Sequence, residues 1–119
     1  MTKITAHTHT IDASGKALGR VASEAAKALM GKMSPSYTPN VLSNVKVTIE
    51  NATKLNFPEK KLTQKVYTTY TGYPGGLKHA TLAQVNARNA TLALRRAIER
   101  MMPRNTMRTA RMKNLTISK

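Results

Sequence analysis

A chain of 119 residues is the length of one domain, and 40% hydrophobic content with one Phe, four Tyr and no Trp suffices for a small aliphatic core. Twenty Lys and Arg against five Asp and Glu leave a net charge of +15, so the chain repels itself unless a polyanion is present. Cysteine is absent, which excludes disulfides, thiolate metal sites and a cysteine nucleophile.

In chain order, Thr8 to Ala13 is rich in β-branched residues and predicts a short strand that Ser14 and Gly15 break. Leu18, Val21, Ala22, Ala25, Ala28 and Leu29 then recur on one helical face, with Gly31 as the stop. Ser34 to Asn40, with two prolines, reads as a loop. Val45, Val47 and Ile49 alternate with Lys46, Thr48 and Glu50, the pattern of a strand with one buried face. Lys65 to Thr71 is a second β-rich run, ended by Gly72-Tyr-Pro-Gly-Gly76. Thr81 and Gln84 fit a capping box for a helix near 82–88. Asn89 can open the next helix, with Ala90, Leu94, Ala97, Ile98 and Met101 as its apolar stripe and Pro103 beyond its end. A last helix near 104–112 and a strand at Leu115–Ile117 close the chain. The order strand, helix, strand implies a parallel crossover, hence an α/β domain over residues 1–119.

Charge divides that domain. Residues 1–59 hold seven basic and four acidic residues, whereas residues 60–119 hold thirteen basic residues and a single acid, Glu99. The first half reads as scaffold and the second as the anion-facing part. Arg104, Arg108 and Arg111 stand at i, i+4 and i+7, the spacing of one helical face, and three planar guanidinium groups in a row suit phosphate oxygens. Arg96 and Arg100 add a pair one turn apart. A merely solvated face would carry acids at i±4, and only Arg95 has one, in Glu99.

The loop Gly72-Tyr73-Pro74-Gly75-Gly76, with Lys78 and His79 after it, allows two readings: a tight connector, or a backbone that lies against ribose and phosphate with Tyr73 stacking. Gly75 sits where a type II turn needs positive φ. Gly76 carries no such demand, so its missing side chain points to close approach by RNA. Ser14-Gly-Lys-Ala-Leu-Gly-Arg20 lies between strand and helix but fits no nucleotide-binding fingerprint, and Asp12 beside it would repel a phosphate unless held by local hydrogen bonds. Arg20 touching RNA is the better expectation there. His7 and His9 share a strand face but lack further zinc ligands, and the five acids are scattered, so no active site, metal or cofactor is expected. No apolar run approaches a membrane span, and the amino terminus resembles neither a signal nor a transit peptide, so an internal, cytoplasmic protein is expected, with a bacterium favoured over an organelle as its source.

Three blocks carry a family resemblance. Asp12-Ala-Ser-Gly-Lys-Ala-Leu-Gly-Arg-Val-Ala22 resembles the opening signature of the universal large-subunit ribosomal protein family numbered thirteen. Lys65-Val-Tyr with Thr71-Gly-Tyr-Pro-Gly-Gly-Leu-Lys78 is similar to its central bacterial motif. Met101-Met-Pro-Arg-Asn-Thr-Met-Arg108, with Arg111-Met-Lys-Asn-Leu115, is similar to its late helical segment and final strand. The resemblance implies a three-layer α/β/α domain with a parallel, about four-stranded sheet. It also implies a structural role in the large subunit, as a monomer bound to 23S-type ribosomal RNA beside neighbouring ribosomal proteins, with no small-molecule substrate, no membrane and no catalysis. Carried onto this chain, the RNA-contacting positions would be Arg20, the Gly72–Gly76 loop with Tyr73, Gly75 and Gly76, Lys78, Arg104, Arg108, Arg111 and Lys113, and the basic residues Lys65, Arg96 and Arg100 join them as expected contacts on charge alone. The chain departs from the family at Val41-Leu-Ser-Asn44, at Thr69 and Tyr70 where Arg-His is usual, and in lacking a tail past its last strand. A free RNA-binding or message-binding regulator and an RNA-acting enzyme are the two other classes open to so basic a domain.

Overall fold

The computed structural model describes residues 7–32, 42 and 45–119. The expected loop at Ser34–Asn40 and most of the departure at Val41–Asn44 lie outside the described residues. Strand β1 (His7–Asp12) leads through Ala13–Ala17 into α1 (Leu18–Met30), and β2 (Val45–Glu50) lies parallel to β1. Strand β5 (Leu115–Ile117) pairs parallel with the other edge of β2, giving the order β1-β2-β5.

The pairing register decides which side chains share a face. His9 stands beside Val47 and Ile11 beside Ile49, while Val47 and Ile49 stand beside Leu115 and Ile117. These face α1, whose Leu18, Val21, Ala22, Ala25, Ala28 and Leu29 are all buried, as their spacing predicts. On the opposite face Thr8, Thr10, Asp12, Lys46, Glu50 and Thr116 are exposed. Gly31, at φ 82°, takes the left-handed conformation that stops α1, and the amides of Gly31 and Lys32 bond back to the carbonyls of Ala28 and Lys27.

The elements between β2 and β5 do not extend the sheet. Helix α4 (Leu92–Met101) lies along α1 and adds Leu94 and Ile98 to the same core, both fully buried. The stripe expected on α4 is displaced at its end: Met101 is exposed and Met102, in extended backbone just past the helix, is buried instead. Between β2 and α4 come a 3-10 turn (Ala52–Lys54), α2 (Glu59–Gln64), β3 (Val66–Tyr70), β4 (Leu77–Thr81) and α3 (Leu82–Arg88). The fold class is α/β, as expected. Among the described residues the parallel sheet has three strands where about four were expected, because β3 pairs antiparallel with β4. The Thr71–Gly76 connection is too short for a crossover and turns β3 back on its own continuation. No helix among the described residues is long and apolar enough to cross a membrane.

The segment after β1 is held by its own hydrogen bonds. Asp12 Oδ1 accepts from the Ser14 amide and from Asn51 Nδ2, each at 3.0 Å, and so ties the end of β1 to the turn after β2. Asn51 adopts φ 59°, a left-handed conformation that asparagine tolerates. Gly15 N donates to Lys54 O, Lys16 N to Ala13 O, and Asn56 N to Lys16 O. The amides of Ser14, Gly15 and Lys16 are therefore committed to the fold, and Asp12 is occupied locally.

The Asn51 side-chain bond, then the Ser14 amide bond, hold the Asp12 carboxyl below its ordinary value of 3.8, with Lys16 and Lys54 adding to the effect. A depressed folded value means that the carboxylate stabilises the fold above the unfolded value, and that this contribution is lost as pH falls through the folded one. Asp12→Ala should therefore lower the urea midpoint at pH 6 and shrink the difference from wild type as pH drops below about 4. An Asp12→Ala deficit that stays constant from pH 6 to pH 2.5 would contradict the tie.

Candidate nucleic-acid interface

Strands β3 and β4 pair Tyr67 with Ala80 and Thr69 with Lys78, which puts these four side chains on one face of the hairpin. Tyr67 is buried there in a small second core with Leu82 and Val85 of α3 and Ala93 of α4, to which Phe57, Leu62, Ala80 and Leu92 add partial cover. Helix α3 is started by the capping box that the sequence predicts: Gln84 N donates to Thr81 Oγ1 at 3.4 Å, and Thr81 N donates to Gln84 Oε1 at 3.1 Å. Asn89 Oδ1 accepts from the amide and hydroxyl of Thr91 and turns the chain into α4.

On α4, Leu92, Arg96 and Arg100 follow at intervals of four, forming one ridge that runs beside the hairpin. The Arg96 guanidinium carbon lies 5.2 Å from the centre of the Tyr67 ring, and Lys65 Nζ lies 5.7 Å from it. Both distances fall within cation–π range, so the ring fixes two cations at once. Two concavities open on either side of this contact. The smaller, of about 190 Å³, is lined by Lys61, Lys65, Arg96 and Arg100 together with Leu18, Gly19, Tyr67, Ala97 and Met101. The larger, of about 420 Å³, is lined by Tyr67, Thr69, Lys78, His79, Ala80, Val85, Arg88, Leu92 and Arg96. Neither lining contains a carboxylate. Glu99, the only acid after residue 59, points elsewhere and meets Arg108 at 3.7 Å.

The structure thus brings together Lys65, Lys78, Arg96 and Arg100 of the expected contacts. It adds Lys61, Tyr67 and Arg88, which charge and spacing in the sequence did not single out. Arg20 lies outside both concavities, in a shallow depression of α1 that shares Gly19 with the smaller one and also contains Glu24 and Lys27. Tyr73 is 75% exposed at the hairpin tip.

The row of three arginines does not form. Helix α5 spans only Met107–Met112, because Asn105 Oδ1 accepts from the Met107 amide and starts it there, after Arg104. Arg104 and Lys113 are exposed outside the helix, and Arg108 is half-buried beside Glu99. Arg111 is 2% exposed. So short a helix is oriented by the strand it leads into: Met112 and Leu115 enter the core as the chain joins β5, and Arg111 is drawn inward with them. Among the described residues no three His, Cys, Asp or Glu side chains come together in a way that could hold a metal ion.

The hairpin loop also revises the reading of its glycines. Gly72 and Gly75 have φ 88° and 76°, and Gly76 N bonds to Tyr73 O at 2.9 Å, closing a turn with Pro74 and Gly75 at its centre, as expected. Gly76 is constrained differently: a Cβ there would collide with the Thr71 hydroxyl and lie 2.9 Å from the Tyr73 carbonyl oxygen. The close neighbour of Gly76 is the other side of its own turn.

Residues 6–119 match the family model described as Ribosomal protein L13. The chain is 43% identical to the large ribosomal subunit protein uL13 of Thermotoga maritima over 109 residues, covering 92% of this chain and 73% of that protein. It is 42% identical to uL13 of Thermus thermophilus over 107 residues, 90% and 76% of the two chains. With uL13 of Alcanivorax borkumensis the identity is 40% over 109 residues, 92% and 77%.

Gly76→Ala should destabilise the isolated protein by about 1–3 kcal/mol, the usual range for an added group in a filled space. Urea unfolding of the purified variant measures this. Wild-type stability in Gly76→Ala would return the glycine to an external contact.

Proposed function

The chain belongs to the L13 family of large-subunit ribosomal proteins, and on that footing we propose that the hairpin–α4 surface is where it grips large-subunit ribosomal RNA. It is a structural component of the large ribosomal subunit, its partners are ribosome components, and the family is not one of enzymes. What supports the placement is the concentration of six cations, Lys61, Lys65, Lys78, Arg88, Arg96 and Arg100, around two concavities without a carboxylate. Like charges gathered round a concavity repel, by roughly 1 kcal/mol per pair at 4 Å even in water. An anion entering that space relieves the repulsion, and a polyanion relieves it at several points together while releasing its own counterions.

The other expected contacts rank by exposure and compensation. Arg104, Lys113 and Arg20 are exposed and serve as flanking phosphate contacts. Arg108 is compensated by Glu99 and contributes less. Arg111 leaves the interface, because its side chain is built into the fold. Tyr73 with Gly72 and Gly75 presents the hairpin tip to RNA or to a neighbouring ribosomal protein.

Neutralising Lys65 and Arg100 together (Lys65→Gln with Arg100→Gln) should weaken binding to 23S-type ribosomal RNA fragments and flatten the log–log salt dependence by about 2. Filter binding between 50 and 300 mM salt measures the slope. An unchanged slope in the double variant, with loss of binding on neutralising Arg104 and Lys113 instead, would move the interface to the carboxyl-terminal segment.

A further inference from the structure

The two concavities differ in more than size. The larger has an apolar floor of Ala80, Val85 and Leu92 and a polar rim that includes Thr69, Lys78 and Arg88. At about 420 Å³ it falls within the span of small-ligand sites, roughly 300–1,000 Å³. The smaller, at about 190 Å³, falls below that span and carries four cations, the requirements of a compact anion. Arg96 and Tyr67 belong to both linings and form the wall between them.

Resting on the RNA reading above, we propose that the paired concavities form one site for an unpaired nucleotide: its base enters the larger, and a phosphate of the same strand enters the smaller. The Arg96 guanidinium lies over the Tyr67 ring and the residue is half-buried, and a guanidinium so placed is the kind of group on which a splayed-out base stacks. Thr69, Lys78, His79 and Arg88 around the rim supply hydrogen-bonding groups for a base edge. An A-form duplex cannot use such a site fully. Its phosphates can approach the cations, but its bases stay stacked inside the helix and leave the apolar floor empty.

The test uses the full chain and fluorescent RNA stems that carry one unpaired nucleotide, with each of the four bases in turn, beside the same stem fully paired. Stacking of one base is sufficient for a preference of about tenfold or more, so at least one interrupted stem should bind that much more tightly than the paired stem. Thr69→Trp, which fills the larger concavity from an exposed position, should bring that ratio to within about twofold of unity. Equal binding of all stems, with a steep salt dependence retained, overturns the unpaired-nucleotide site and leaves the RNA interface standing. A preference that survives Thr69→Trp overturns it as well. Salt-insensitive binding of every stem would remove both readings.

Discussion

A two-stranded ribbon is marginal in water unless another element covers one of its faces. Here the cover is α3 and the start of α4, and the side chain that makes it work is Tyr67, set between Leu82, Val85 and Ala93. Everything proposed for the surface depends on this contact. It fixes the hairpin beside α4, holds Lys65 and Arg96 against one ring, and so creates the concavities on either side. The ring's hydrophobic burial and its attraction for cations act through the same atoms, so stability and the proposed function share a residue.

Charge is distributed to match. In the first half, acids are used to build: Asp12 ties β1 to the turn after β2, and Glu24 lies 3.4 Å from His9 on the α1 side of the sheet. In the second half the single acid meets Arg108, leaving the α4 ridge and the hairpin without a carboxylate in their concavities. Such a surface is unfavourable to the isolated chain and favourable beside RNA, a division expected of a protein whose working state is an assembly.

The scaffold was legible where periodicity and punctuation agree. Leu18 to Leu29 with Gly31, Val45 to Ile49, and the Thr81–Gln84 box each carry a local signal strong enough to survive tertiary context. Strand β4 was missed because Leu77, Lys78 and His79 are all exposed and show no alternation to read. The arginine row failed for a longer-range reason: helical spacing applies only inside a helix, and the position of Asn105 with the burial of Met112 and Leu115 decides where α5 starts and how it is turned. Half of the site was visible as charge. The remainder needed Tyr67, which in sequence is one tyrosine among β-formers and becomes distinctive only once α4 is laid across it. Gly76 carries the same lesson in reverse, since an absent side chain records a close neighbour without saying whose it is.

The central claim is that the Tyr67–Arg96 surface is turned toward ribosomal RNA. A cryo-EM map of the large subunit carrying this chain tests it most directly. The account requires RNA density in hydrogen-bonding reach of Lys65, Arg96 and Arg100, with a phosphate in the smaller concavity. Solvent or another protein over that ridge, with RNA confined to Arg20 or to the segment beyond Pro103, would contradict it.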